Sequence, residues 1–221
     1  MNKNSTMDLE TYQKQFTEDD AVGWDCIDQR LSEIYGEQEP RHYAADLPYE
    51  LGGEDPLNGV SFYTSTAQEP HFHFVTYGFS ELFYDEECAG SEFSKFGFEL
   101  TFRLKMESED EDMGWVYNML QNIARYVFDS GKWFEPFHFL PAGAPIKIDS
   151  DSEITALAFV VDPELGKMDT PHGEVTFLQA VGLTTAEFQE LKKNPVTTET
   201  EKLIQKLQQN NRLLITDLDR K

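Results

Sequence analysis

Apolar and polar residues alternate along the middle of the chain. This alternation predicts β-strands, because successive side chains of a strand point to opposite faces. The clearest case is residues 96–105, whose sequence FGFELTFRLK directs Phe98, Leu100, Phe102 and Leu104 to one face and polar side chains to the other. We expect one face of this strand to lie on the core and the other to be wet or covered by polar contacts.

Further segments have patterns that predict the remaining elements. Residues 71–79 alternate in the same way, with phenylalanines on one side and His71 and His73 on the other. Strands are also predicted over residues 60–65, 137–140, 154–161, 174–181 and 213–216. Apolar residues at helical spacing predict helices over residues 18–35 and 113–130. Capping-box spacings at residues 17–20, 184–187 and 198–201 indicate helix starts.

Length and composition indicate one folded unit. The chain has 221 residues, of which 39% are hydrophobic, and a chain of this size buries about 70% of its surface on folding. Strands and helices are interspersed without a regular βαβ alternation, so the predicted fold class is α+β, or mixed. We predict a polar, frayed tail over residues 1–17 and one domain over residues 18–221.

The net charge restricts the class of partner. Lys and Arg number 18 and Asp and Glu number 41, which gives a charge of −23. Such a field repels phosphate backbones and anionic membranes, so no nucleic acid and no membrane is expected as a partner. It would attract a basic protein, although the charge also serves solubility alone.

Two distant cysteines and a polar N-terminus predict a cytoplasmic protein. Cys26 and Cys88 form no metal-type CxxC spacing, and the first residues lack the apolar stretch of a signal peptide. We therefore expect reduced thiols.

Candidate catalytic and metal motifs are weak. The sequence has no Walker loop, no GxSxG and no GxGxxG after a strand, so no catalytic residue is predicted. His71 and His73 share one side of a strand and could begin a metal site, but nothing nearby specifies a third ligand. Our prediction is therefore no metal and no cofactor. A metal-dependent hydrolase built on these two imidazoles is kept as an alternative function, behind the two binding functions given at the end of this section.

Aromatic residues crowd the end of the second long predicted helix and the segment after it. Tyr126 follows Arg125 one position off the apolar stripe, and Trp133, Phe137 and His138 come soon after. These side chains either pack in the core or form an aromatic patch of the kind that binds a partner. They are the candidate partner-binding residues.

Six ordered blocks of the sequence resemble the suppressor of fused (SUFU) family. They are LGGEDPL (residues 51–57), HFHFVTYGFSEL (71–82), FGFELTFRLK (96–105), ARYVF (124–128), TPHGEVTFLQ (170–179) and LITD (214–217). The resemblance implies a central mixed β-sheet flanked by helices in a single SUFU-like domain. It also implies a protein that binds rather than catalyses.

The resemblance suggests a binding surface and a change within it. In animal members a second domain follows, and the two domains clamp a short extended peptide of the GLI/Ci transcription factors between sheet edges. The tyrosine that contacts the peptide in the ARYVF block is similar to Tyr126. An aspartate that contacts the peptide just before a histidine corresponds to Phe137, before His138, so that charge is absent here.

Two functions follow from the charge and the resemblance together. Stand-alone SUFU-like domains are similar to bacterial proteins that act as immunity proteins in toxin systems. The leading hypothesis is therefore a cytoplasmic immunity protein that neutralises a basic toxin, possible targets including nucleases. The alternative is a module that sequesters an endogenous partner by binding a peptide at a sheet edge. The sequence predicts neither the partner's identity nor the oligomeric state.

Overall fold

The computed structural model describes residues 7–47 and 49–221, and within them a mixed sheet of eight strands carries helices on both faces. The helices are α1 (Leu9–Gln15), α2 (Val22–Tyr35), α3 (Gly114–Ser130), α4 (Thr185–Lys193) and α5 (Thr197–Gln208). The strands are β1 (Arg41–Ala44), β2 (Gly59–Ser65), β3 (His71–Tyr77), β4 (Phe93–Lys105), β5 (Phe139–Pro141), β6 (Ile154–Val161), β7 (Lys167–Thr170) and β8 (Gly173–Thr184).

The strand order confirms the predicted mixed sheet. It runs β1-β2-β3-β4-β8-β6-β5, and β7 pairs with the first part of β8. Only the central pair of β4 and β8 is parallel among the described pairs, because the chain crosses over through α3 and β6 between them. The short strands β1 and β5 therefore lie at the two ends of the sheet.

One face of the sheet carries the main apolar core. The predicted inward residues of β4, from Phe98 to Leu104, are buried there beside Phe72 and Phe74 of β3. Helix α3 covers this face with Val116, Leu120 and other buried residues of its inner side.

No helix within residues 7–47 and 49–221 combines the length and apolar character that crossing a membrane requires.

The other face is covered by helices at both ends and by polar side chains between them. Helix α2 packs on β2 and β3 through Ile27 and Leu31, and α4 and α5 pack on β6 and β8 through Leu191 and Ile204. The gap between these two apolar clusters holds polar residues of β4. The second face of β4 is thus covered by polar contacts rather than wet.

A buried arginine organises this polar strip. Arg103 and Asp162 are both almost fully buried, and Arg103 Nη1 donates to Asp162 Oδ2 at 2.5 Å. The same guanidinium donates to Gln179 at 2.7 Å and to Glu164 at 2.9 Å. Although burial opposes both charges, the proximity of Asp162 raises the pKa of Arg103. The contact with His73 and the charge of Arg103 hold the pKa of Asp162 well below its usual range.

Residues of this strip connect distant segments. Asp162 Oδ1 accepts the backbone N–H groups of Glu164 and Leu165, each at 2.9 Å, which shapes the turn between β6 and β7. Gln179 donates to the carbonyls of Leu213 and Leu214 and so fixes the C-terminal segment. The polar contacts therefore join β4, β6, β8 and the C-terminus in one network.

A histidine lies at the end of this network. The hydroxyl of Tyr35 on α2 lies 2.6 Å from His73 Nδ1, and His73 Nε2 lies 3.3 Å from Asp162 Oδ2. Burial, together with the positive charge of Arg103, lowers the pKa of His73 to about 4. His73 is therefore neutral near pH 7, and its Nδ1 accepts a hydrogen bond from the Tyr35 hydroxyl.

Some sequence expectations were wrong at the ends of the chain. The expected fraying of residues 1–17 does not hold for Leu9–Gln15, because α1 forms there and buries Tyr12, whose hydroxyl lies 2.7 Å from His172 Nε2. Residues 1–6 lie outside the described residues. The division into a tail over residues 1–17 and a domain over residues 18–221 stays a prediction.

Two capping predictions were also wrong, and a third was confirmed. Thr184 caps α4 in a full capping box with Glu187. Thr17 bonds Asp20 in a turn before α2. Helix α5 begins after Val196 without a side-chain cap. The final predicted strand is reduced to a single bridge between Thr216 and Leu104.

Removing either charge of the buried ion pair should destabilise the folded protein. We expect Arg103→Met and Asp162→Asn each to lower the free energy of unfolding by about 3–5 kcal/mol, because each leaves an uncompensated buried charge or donor. Urea denaturation measures this loss. The exposed pair of Lys14 and Glu10 provides a control, and Glu10→Gln should leave the midpoint unchanged. Single losses below about 1 kcal/mol would contradict the central role of the pair.

The depressed pKa of His73 predicts acid sensitivity. The folded-state pKa is about 4 against 6.5 in the unfolded chain, so below pH 6.5 the unfolded state binds a proton that the folded state does not. This contribution is fully present above pH 6.5 and is lost as the pH falls towards 4, by about 3 kcal/mol. Urea midpoints measured from pH 8 to pH 4 should fall less steeply for His73→Gln. Parallel curves for the two proteins would refute the assignment.

Candidate protein-binding site

A groove lies at the open end of the sheet, along β5. Its cavity of about 570 Å³ is bounded by the end of α3, the segment after it, β5 and the turn between α4 and α5. It therefore reaches both faces of the sheet around the edge of β5. The lining residues that carry the argument below are Tyr126, Trp133, Phe134, Phe137, His138 and Val196.

Four of the five predicted partner-binding residues line this groove, and one does not. Tyr126, Trp133, Phe137 and His138 are brought together there. Arg125 lies outside the groove, because its guanidinium pairs with Asp55 and donates to Asn122 at 2.6 Å. Arg125 thus anchors the loop before β2 to α3 rather than facing the groove.

Two backbone features shape the segment between α3 and β5. Gly131 ends α3 in the left-handed region at φ 67°, where glycine avoids the steric cost of a Cβ. Phe137 also has a positive φ, of 69°. Its N–H donates to the carbonyl of Phe159, whose own N–H donates to the carbonyl of His138. Two residues thus oppose one in a β-bulge, which redirects the chain where β5 begins.

The aromatic side chains of this segment divide between core and surface. Phe134 is 8% exposed, and its ring stacks on Phe159 with a centroid distance of 4.1 Å. Tyr126 is 43% exposed and Trp133 is 57% exposed. Phe134 therefore packs in the core, while the rings of Tyr126 and Trp133 present an aromatic surface.

The edge of β5 is open for backbone pairing. The N–H of Ala142 donates to Thr155, and the carbonyl of His138 accepts from Phe159, so the even-numbered residues here bond β6. Alternate residues of an antiparallel strand bond the same neighbour, so Phe139 and Pro141 direct their backbone groups away from β6. Proline has no N–H, which leaves one outward donor, at Phe139, and the carbonyls of Phe139 and Pro141 as acceptors.

Charges in the groove are few and nearly balanced. Its charged side chains are Lys132 and Glu135, and it also contains the imidazole of His138. His138 Nδ1 accepts the backbone N–H of Glu135 at 3.2 Å, and its Nε2 lies 3.9 Å from the Glu135 carboxylate. In the neutral ring the proton is therefore on Nε2. The acidic character of the protein lies outside this groove.

The structure does not assemble a metal site around His71 and His73. His71 Nδ1 lies 2.8 Å from the carbonyl of Glu69, and His73 lies between Tyr35 and Asp162. Within the described residues, the only three metal-type ligand atoms that converge belong to Glu81, Asp85 and Cys88, away from both imidazoles. Burial and the bond to Asp85 raise the pKa of the Cys88 thiol to about 12.

Some lining residues were beyond sequence reasoning. Pro195, Val196 and Thr197 reach the groove from the turn between α4 and α5, which is about 70 positions from Tyr126. Only the three-dimensional packing of α4 and α5 brings them there. Gly131, by contrast, could have been recognised as a helix C-terminal glycine from the pattern that precedes it.

Comparisons with known sequences identify one family. The sequence model described as suppressor of fused protein (SUFU) matches residues 53–221. The human suppressor of fused homolog is 38% identical over 175 residues, covering 71% of this chain and 36% of the human protein. The mouse protein gives the same values. The chain thus spans about a third of the length of these curated relatives.

Solved structures show the same fold. The chain in the Sufu-Fu complex crystal structure has a TM-score of 0.80 and 29% identity, with 91% of both chains covered. Drosophila suppressor of fused gives the same score and identity over 93% of this chain and 52% of its own. A SUFU homologue from Neisseria gonorrhoeae, at 14% identity, has a TM-score of 0.61 over 90% of this chain and 95% of its own.

Exposure should separate the surface ring from the core ring. We expect Trp133→Ala to change the free energy of unfolding by less than about 1 kcal/mol, because the side chain is mainly exposed. Phe134→Ala should cost about 3–5 kcal/mol, since it leaves a cavity against Phe159. Urea denaturation of the two variants compares them directly. Equal losses would mean that Trp133 belongs to the core and is not a free aromatic surface.

Proposed function

Because the chain belongs to the suppressor of fused family, we propose that it acts without catalysis, by binding an extended segment of another protein along the open edge of β5. The observation that carries this proposal is the coincidence of exposed aromatic rings with a strand edge that no other described strand pairs with. Phe139 offers an outward N–H and carbonyl, while Tyr126 and Trp133 flank the edge. Backbone bonds supply affinity in such pairing, and side-chain pockets supply specificity.

Relatives support a protein as the partner. One similar structure is a Sufu-Fu complex, so that relative assembles with another protein. The partner itself is not carried over, because this chain spans about a third of its curated relatives. The resemblance also points to a changed groove, in which Phe137 stands where animal members place an acid. The segment bound here therefore meets an aromatic side chain at that position instead of a carboxylate.

The net charge supports a second candidate, an immunity protein that neutralises a toxin. A charge of −23 accelerates association with a basic folded domain and makes the binding sensitive to salt. A basic nuclease toxin is one target of this kind. The free thiols of Cys26 and Cys88 fit a reducing compartment such as the cytoplasm.

Selection from a peptide library tests edge binding. A phage-displayed library of random dodecapeptides is selected on the wild-type protein, and enriched peptides are titrated by fluorescence anisotropy. Phe139→Ala removes the ring but keeps the outward N–H, whereas Phe139→Pro removes both. We expect Phe139→Pro to bind at least about tenfold more weakly than Phe139→Ala, because a backbone bond is lost. Equal affinities would exclude pairing at this edge.

Co-expression tests the second candidate. Candidate basic toxin domains are each expressed with and without the protein, and growth and complex formation are measured. Rescue of growth with a complex that weakens as salt rises would support toxin neutralisation. No rescue and no complex would exclude that toxin as the target.

A further inference from the structure

A second cavity, which we call the α3 cavity, lies beyond Tyr126 at the other end of β5. It measures about 460 Å³ and is bounded by one face of α3 and by the segment from Leu140 to Ile148. Tyr126 and Leu140 line both this cavity and the groove described above. The two spaces therefore meet at β5.

The sequence of α3 explains why this cavity is apolar. One row of apolar residues on α3 is buried against the sheet and forms the helix's contribution to the core: Val116, Leu120, Ala124 and Val127. The helix has a second apolar row, displaced around its axis. Trp115 and Met119 of this row are partly buried and Tyr126 is exposed, whereas Ile123 between them is buried. The apolar surface of α3 is thus broader than packing on the sheet requires.

The opposite wall leaves this second row uncovered. Ile148 is 79% exposed, although it lines the cavity, and Ile146 beside it is buried. The polar residues lining the cavity are Asn118 and Asn122, and none of its lining residues is charged. The cavity therefore favours an apolar side chain, with amide groups at its border that can bond a backbone.

Acidic residues border one end of the cavity. Lys147, between the lining residues Ile146 and Ile148, pairs with Glu111 at 2.8 Å, which places the acidic run of residues 107–112 beside the cavity. Glu109 and Asp110 of this run are exposed. A basic residue next to the apolar one would be attracted to them.

A second copy of the chain is a poor occupant. Each copy carries a charge of −23, so two copies repel each other, and the acidic run would lie at the contact. An extended segment paired with β5 advances about 3.3 Å per residue, so it passes from the groove to the α3 cavity within a few residues. The position and the charge therefore both favour the partner segment itself.

We propose that the α3 cavity binds an apolar side chain of the extended partner segment, and that Lys or Arg residues adjacent to it in the segment face residues 107–112. This inference rests on the proposed pairing at β5 and specifies the chemistry of the partner. The segment combines a backbone that pairs with Phe139, an apolar anchor for the α3 cavity and a basic flank.

The dodecapeptides enriched on the wild-type protein test this directly. Their sequences should share an apolar residue followed or preceded by Lys or Arg. Ile148→Asp places a charge in the cavity wall, and we expect it to weaken peptide binding at least about tenfold. Leu51→Asp is the matched control, since Leu51 is 72% exposed and lines neither space. Circular dichroism verifies that both variants fold.

A charge comparison separates local from general attraction. The double variant Glu109→Gln/Asp110→Asn should bind the enriched peptides more weakly than the double variant Glu37→Gln/Glu39→Gln. The second variant removes the same charge from an exposed turn elsewhere. Equal effects of both pairs would overturn the basic-flank assignment.

The remaining outcomes are distinct. Unchanged binding to Ile148→Asp, with binding to Phe139→Pro lost, would overturn the α3 cavity inference and leave edge pairing intact. A change in sedimentation of Ile148→Asp without a change in peptide affinity would assign the cavity to a second copy. A library that yields no binder would contradict both the proposed function and this inference.

Discussion

The buried pair of Arg103 and Asp162 is the interaction on which the rest of the structure depends. It lies where neither α2 nor the α4 and α5 pair covers the sheet, so apolar packing alone leaves a gap there. A charged pair in that position is costly to desolvate, and its partners offset the cost by satisfying most of its polar atoms. Gln179 and Glu164 do so from different segments, which ties the order of the central strands to one set of bonds.

The position of the candidate site follows from that network. Asp162 follows β6, and β6 is the only one of the described strands that β5 pairs with. The groove is thus built on an edge strand whose neighbour, β6, is joined to the central polar contacts through Asp162. Its recognition elements come from a loop, a bulge and a helix end, while the sheet beneath them is held rigidly. The side chains that would bind a partner can vary without disturbing the core.

Sequence patterns predicted local features well and long-range ones poorly. Alternation predicted the two faces of β4 and β3 because each face has a uniform environment over many residues. It missed α1, whose stability depends on Tyr12 meeting His172, 160 positions away. For the candidate site, spacing in α3 indicated Tyr126, but the exposure of Trp133 and the pairing of Arg125 with Asp55 depend on how separate elements pack. The local sequence pattern around these residues does not specify which other elements they contact.

Pro141 bears on the tendency of the exposed β5 edge to aggregate with other copies of the chain. An exposed sheet edge is a template on which further chains can stack, and proteins commonly protect such edges with prolines and short strands. Here the edge strand has three residues, and one of them cannot donate a hydrogen bond. Stacking of further copies is therefore disfavoured at the same edge where we propose that a partner segment binds.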